Sequence, residues 1–293
     1  MMMQQLKGTG VALVTPFDAK LRVDFEGLDK LLQLTTAGGI NYFVVHGTTG
    51  EAATTTTEEK REILAFIKAH NPKGLPIVYG IGGNSTNDIL QKIASTDFQG
   101  IAAILTVSPY YNRPSQEGIY LHYKAIADDC PVPIILYNVP SRTGSNLEAT
   151  TVLRLSEHTN IWGIKEASGD LVQCLAIAKD KRDDFLLISG DDILTVTMIA
   201  IGAAGVVSTL ANGFPSQVCQ MVEATLRNDY MKARKYQFAL LKMHELVSKV
   251  GNPVATKQIL EVLAICKNYV RLPLARLSGE GIEKIRAAVG DLL

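Results

Sequence analysis

The chain is short of the residues that would tie it to a metal, a disulfide framework, a membrane or a polyanion. It has four cysteines in 293 residues, Cys130, Cys174, Cys219 and Cys266. None forms a CxxC pair, so no zinc-ligand spacing or redox dithiol is present. Few and scattered cysteines suit a reducing compartment, where thiols stay free. The five histidines, His46, His70, His122, His158 and His244, are dispersed along the chain, whereas a catalytic zinc needs clustered ligands. Asp191 and Asp192 are adjacent acids without the further oxygen donors a hard cation requires. No metal is therefore expected. Twenty-nine basic residues balance 29 acidic ones, which offers neither nucleic acid nor an anionic membrane an electrostatic hold. No apolar run is long enough to span a bilayer, and MMMQQLKGTG is too polar and too short for a signal-peptide core. The expectation is a soluble cytoplasmic protein.

What the chain does have is apolar surface to bury, with 47% hydrophobic residues. Eight short, β-branched runs recur, at 8–17, 40–50, 75–83, 101–111, 132–140, 161–168, 185–192 and 205–212. They are nearly continuous in hydrophobicity rather than alternating, as strands covered on both faces should be. Between them lie helix signals. The stretch 54–70 opens on threonines, carries acids in its first turn and bases later; 115–130 and 146–158 have apolar residues at helical spacing. Strand and helix alternating eight times predict a (β/α)8 TIM barrel over residues 1–227. A doubly wound sheet would carry a Gly-rich phosphate turn after its first strand, but that strand ends TPF. Beyond residue 213 only helical stretches remain, near 216–227, 230–249, 253–266 and 279–291. The first completes the barrel, and the others predict a C-terminal helical extension, 228–293.

In such a barrel the reacting groups sit at the C-terminal ends of the strands. Those ends carry Gly47-Thr48-Thr49-Gly50-Glu51, Pro109-Tyr110-Tyr111-Asn112, Tyr137-Asn138-Val139-Pro140 followed by Ser141-Arg142-Thr143-Gly144, Lys165-Glu166 and Gly190-Asp191-Asp192. Lys165 closes the apolar run Ile161-Trp162-Gly163-Ile164. Burial of an ammonium pushes its pKa toward neutrality. That is a defect in a core and an asset in an amine nucleophile. A lysine without a metal points to Schiff-base chemistry on a carbonyl substrate, with tyrosine hydroxyls to move protons. Threonines beside a glycine turn can bind a small carboxylate, and Arg142 can clamp a second one. The residues alone suggest an aldolase-type lyase acting on a 2-oxo acid.

The segments GTTGE (47–51), SPYYNRPSQEG (108–118), YNVPSRTG (137–144) and GIKEASGD (163–170) resemble the signatures of the 4-hydroxy-tetrahydrodipicolinate synthases. These belong to the pyruvate-dependent class I lyases, and the resemblance runs in order from about residue 8 to about 213. It implies that Lys165 forms an imine with pyruvate and that the enamine attacks L-aspartate 4-semialdehyde. It also implies that Tyr137 is the general acid/base, in a relay with Thr49 and with Tyr111 of a neighbouring subunit. Thr48 and Thr49 would hold the pyruvate carboxylate near the backbone of Val207. Gly190 would offer a carbonyl to the incoming substrate, and Arg142 would bind its carboxylate. The resemblance further implies a homotetramer built as a dimer of dimers, with no cofactor. Asn84, Asp88 and Tyr110 match a lysine-binding regulatory pocket, although Asp88 replaces a usual glutamate. Lys60 stands where lysine-sensitive members often have histidine, so weak or absent lysine feedback is expected.

Each residue also has an ordinary reading. Lys165 could reach solvent from a strand end, Thr48 and Thr49 could cap a turn, and Tyr137 could be a core tyrosine with a satisfied hydroxyl. Tyr110 and Tyr111 could pack at an interface, and Arg142 could be a solvated loop charge. Glu51, Glu166 and His46 are expected to be structural, and GIGG (80–83) to be a barrel turn. The rival functions are a sialic acid or keto-sugar-acid lyase, which usually lacks the arginine after YNxP, and a non-catalytic barrel sensing pyruvate or lysine.

Overall fold

In a computed structural model describing residues 5–292, each of the eight apolar runs holds one parallel strand. The strands are β1 (Gly8–Ala12), β2 (Tyr42–Val45), β3 (Ile77–Gly80), β4 (Ala103–Val107), β5 (Ile134–Asn138), β6 (Ile161–Glu166), β7 (Leu186–Ser189) and β8 (Gly205–Ser208). They pair in chain order and close β8 onto β1. Every strand is shorter than its apolar run, because the polar end of the run turns away into a loop at the top of the barrel.

The helices are α1 (Phe25–Ala37), α2 (Thr57–Ala69), α3 (Thr86–Ala94), α4 (Gln116–Asp129), the single turn α5 (Pro140–Thr143), α6 (Ala149–Ser156), α7 (Leu171–Asp180), α8 (Thr195–Ala200) and α9 (Pro215–Leu226). After them come α10 (Tyr230–Val250), α11 (Val254–Val262) and α12 (Glu280–Gly290). Among the described residues no helix is long and apolar enough to cross a membrane. Side-chain caps set several starts. Asp24, Ser85, Ser115 and Asp170 each accept a backbone N–H of the first turn. The N-cap of α2 is Thr56, whose hydroxyl accepts the Glu59 N–H while the Glu59 carboxylate accepts the Thr56 N–H, a reciprocal capping box.

Along each strand the side chains alternate between two cores. Ala12, Tyr42, Val44, Val78, Leu105, Ile135, Ile188 and Val207 fill the barrel interior. Val11, Phe43, Ile104, Leu136, Ile164, Leu187 and Val206 face the helices. The outer core runs on without a break into Leu240, Met243, Ile259, Leu260 and Ile285 of the C-terminal helices. Inside, the Tyr42 ring occupies the space beside Gly10, where a Cβ would lie 2.2 Å from a ring carbon.

One irregularity positions the chemistry. Ile134 pairs with Ile161, but Ile135 pairs with Gly163, so Trp162 is an extra residue in β6. Without that shift Tyr137 would lie beside the outward-facing Ile164. With it, Tyr137 is in register with Lys165, and both side chains fall on the inner face.

Candidate active site

Tyr137 and Lys165 are the next-to-last residues of adjacent strands, at the C-terminal mouth of the barrel. The Lys165 Nζ lies 4.4 Å from the Tyr137 ring centroid. Both side chains are buried, at 6% and 7% exposure. Glu166, next to the lysine, does not neutralise it. Its carboxylate faces the other way and accepts hydrogen bonds from Asn138 Nδ2 (3.0 Å), Gln173 Nε2 (3.0 Å) and the Ser168 N–H (2.7 Å). Its expected structural role is the one its contacts describe: it ties β5, β6 and α7 together under the lysine.

Gly190 follows β7 and borders the same space. A Cβ there would lie 3.1 Å from Lys165 Cε and 2.7 Å from the Ala167 Cβ, so only glycine leaves the lysine stem room. Its N–H is held by the Glu166 carbonyl at 2.7 Å. Val207 lines the interior from β8. Lys165, Tyr137 and Gly190 are therefore brought to one place, and Val207 shares the interior core with Tyr137.

The threonine turn lies above β2. Thr48–Gly50 forms a 3-10 turn, pinned by the Thr15 hydroxyl on the Gly50 carbonyl at 2.8 Å. Thr49 is buried while Thr48 is exposed. The Thr49 Oγ1 accepts a 2.7 Å hydrogen bond from Asn252 Nδ2. Arg142, on the exposed turn α5, donates from NH2 to the Asn252 carbonyl at 3.3 Å. Tyr111 is not brought to Lys165 within the chain. Its ring is 89% exposed, on a backbone with φ of 74°, and its N–H rests on the Thr143 carbonyl.

The residues read as a regulatory pocket lie around the tops of β2 to β4, apart from Lys165. Asn112 Nδ2 donates to the Asn84 carbonyl at 2.9 Å, which joins the Asn84 turn to the tyrosine loop. Tyr110 is 42% exposed, and Asp88 is exposed on the first turn of α3. Lys60 is half-buried; burial, and then the Lys92 charge, push its pKa down. His46 packs edge-on to Tyr79 and meets the Lys60 carbonyl through Nε2 at 3.2 Å, a local structural role as expected. GIGG leads through Ser85, which caps α3, so a capped helix opens closer to that turn than the sequence suggested.

Two residues of the C-terminal extension went unnoticed in the sequence. Asn252 touches both Thr49 and Arg142. Lys257, fully buried, pairs with Glu51. The only local signals were an Asn-Pro dipeptide and a lysine within an apolar helical stretch.

The profile of the dihydrodipicolinate synthetase family matches residues 5–292. A 4-hydroxy-tetrahydrodipicolinate synthase of Cytophaga hutchinsonii is 48% identical over 286 residues, 98% of this chain and 96% of its own. One of Flavobacterium psychrophilum is 44% identical over 277 residues, covering 94% of each chain. The crystal structure of the dihydrodipicolinate synthase of Acinetobacter baumannii, complexed with pyruvate, aligns at a TM-score of 0.94 with 36% identity over 98% of both chains.

Proposed function

The chain belongs to the dihydrodipicolinate synthetase family, and we propose that it condenses pyruvate with L-aspartate 4-semialdehyde through a Schiff base on Lys165. The product is 4-hydroxy-tetrahydrodipicolinate, the first committed intermediate of the diaminopimelate route to lysine, made in the cytoplasm. The observation that carries the reading is the Lys165 amine, buried on the inner face beside Tyr137, with its neighbouring carboxylate engaged elsewhere.

The amine adds to C2 of pyruvate, and the carbinolamine loses water to give the imine. The iminium draws the C3 electron pair in as a proton leaves, forming the enamine. C3 then attacks the aldehyde carbon, whose oxygen takes up a proton. The α-amine of the semialdehyde adds to the imine carbon and expels the lysine amine, which closes the ring. Tyr137 moves the protons, in a relay with Thr49 and with Tyr111 of another copy. The exposed Tyr111 ring is free to reach outward to that copy, and the family resemblance supports assembly as a homotetramer, a dimer of dimers. Thr48 and Thr49 hold the pyruvate carboxylate beside the Val207 backbone. Gly190 presents its carbonyl to the second substrate, and Arg142 binds that substrate's carboxylate. The iminium is the electron sink, so no step calls on a cofactor.

The test is sodium borohydride trapping with pyruvate, followed by pyruvate consumption with L-aspartate 4-semialdehyde or N-acetylmannosamine. Trapping should fix pyruvate on Lys165 and vanish in Lys165→Ala, with consumption by the semialdehyde alone. Consumption with the sugar would move the protein to the sugar-acid lyases. No trapping would leave a sensing barrel. Arg142→Ala should keep the trapped imine and raise the semialdehyde KM by about tenfold or more, since a charge-assisted pair is lost.

A further inference from the structure

We propose that Asn252 is a positioning residue: it fixes Thr49 as a hydrogen-bond donor to the bound 2-oxo acid and seats Arg142 over the same mouth. The inference rests on the reading of Lys165 as the imine-forming lysine.

Asn252 sits between α10 and α11, 203 residues from Thr49 in the chain. Its amide has a sense. The Thr256 hydroxyl, one helical turn on, donates to Asn252 Oδ1 at 3.2 Å. That leaves the NH2 group facing Thr49, whose Oγ1 accepts from it at 2.7 Å. A hydroxyl that accepts from an amide still has its own proton to give. Thr49 is 2% exposed, so water does not compete freely for that proton. A hydroxyl held in this sense presents a donor, which is what a substrate carboxylate requires. A free hydroxyl would have to give up its rotational freedom on binding.

The backbone of the same residue is engaged as well. Its carbonyl accepts from Arg142 NH2 at 3.3 Å. The group proposed to bind the second substrate's carboxylate thus rests on the residue that orients the group proposed to bind the first. The C-terminal extension, which contributes no residue to the imine chemistry, reaches Thr49 and Arg142 through this residue.

The test is a double-mutant cycle on the full-length protein with Thr49→Val, Asn252→Ala and the pair, supported by Asn252→Asp, which keeps the shape but removes the donor. Steady-state kinetics give KM for pyruvate and kcat; borohydride trapping and melting temperature are read in parallel. Asn252→Ala should raise the pyruvate KM about tenfold, the scale of one lost hydrogen bond, with the imine still trapped and melting little changed. In Asn252→Asp the carboxylate would accept the Thr49 proton and repel an anionic substrate, so its pyruvate KM should rise further. Adding Asn252→Ala to Thr49→Val should cost nothing more, because the asparagine acts through the threonine. Additive losses, or a wild-type KM in Asn252→Asp, would overturn the assignment while intact trapping left Lys165 in place. Absence of trapping in the wild type would overturn both.

Discussion

Lys257 Nζ lies 2.5 Å from Glu51 Oε1, and the two side chains are 0% and 1% exposed. Glu51 is the last residue of the GTTGE turn, two places after Thr49, and its backbone is left-handed with φ of 52°. Lys257 comes from α11 in the C-terminal extension. The pair is fully bonded: Lys257 also donates to the Tyr269 carbonyl at 2.8 Å, and Glu51 Oε2 accepts the Arg271 N–H at 3.0 Å. The Phe17 ring lies 3.9 Å from the ammonium. Burial pushes the Lys257 pKa down, and the Glu51 charge and hydrogen bond oppose it. The candidate site is therefore tied to the far end of the chain through Glu51, held by Lys257 and Arg271, and through Asn252, which bonds Thr49 and Arg142.

Removing one partner of a buried ion pair leaves an uncompensated charge, which costs about 3–5 kcal/mol. Lys257→Met should lower the unfolding free energy by that amount in denaturant titration. Lys257→Met with Glu51→Gln should recover much of it. Activity should fall in the single variant beyond what the folded fraction explains, because the Thr48–Thr49 turn loses its anchor. A Lys257→Met protein as stable as the wild type would show that the pair anchors nothing.

The barrel was legible because its strands are covered on both faces and so read as unbroken apolar runs. Lys165 and Tyr137 stood out because their types match one chemistry and each lies near the end of an apolar strand run, while Gly190 entered only with the family resemblance. Two features were not legible. The extra residue Trp162, which sets Tyr137 opposite Lys165, leaves no mark in a run that is apolar on both sides of it. Asn252 and Lys257 were hidden by distance, since their partners lie 203 and 206 residues away. The sequence marks the extension only as helical, and its apolar residues share the outer barrel core.

Acid should weaken the fold through two histidines. Burial pushes His46 and His122 down from 6.5 to about 4. The unfolded chain takes up these protons from about pH 6.5, but the folded chain does not until near 4. Their stabilisation is present above 6.5 and is lost as pH falls toward 4. For His46 the gap is worth about 3 kcal/mol at most. His244 has the opposite sense. Burial opposes its proton, but the Asp191 hydrogen bond and the Asp192 and Asp191 charges leave its pKa raised, so its contribution is present below 6.5 and fades as pH rises through its folded value. Melting temperature against pH in wild type and His46→Asn checks the first effect. Asparagine tolerates the φ of 58° at this position. A slope between pH 6.5 and 4 unchanged in the variant would remove His46 as its source.

Lysine should inhibit poorly. Lys60 is half-buried on α2, and Lys92 is close enough to lower its pKa further. Lys92 Nζ donates to the Gly82 carbonyl at 3.2 Å, in the turn that leads to Asn84, so a cationic ligand approaching that loop would meet positive charge. Lys60→His, largely neutral above pH 7, should strengthen any inhibition at least about tenfold, the scale of one like-charge contact removed. Initial rates against millimolar-range lysine, for wild type and variant, decide it. Strong inhibition of the wild type would contradict the electrostatic reading.

A geometric demand that bears directly on the lysine stem is at Gly190. Its φ is not in the left-handed region, so alanine is permitted by the backbone and excluded only by its neighbours. The added Cβ would lie 2.7 Å from the Ala167 Cβ, 3.1 Å from the Glu166 carbonyl oxygen and 3.1 Å from Lys165 Cε. Ala167 and the Glu166 carbonyl belong to backbone that is itself hydrogen-bonded, including through the Gly190 N–H. The flexible lysine stem is the neighbour that can yield. Gly190→Ala should therefore fold with a loss of about 1–3 kcal/mol, the usual cost of overpacking, and form the pyruvate imine more slowly by about tenfold or more, because displacement of a reacting amine is felt steeply. Rapid-quench borohydride trapping measures that rate directly, and denaturant titration measures the stability. A normal trapping rate in a destabilised protein would mean that the backbone had yielded, leaving the amine where it was.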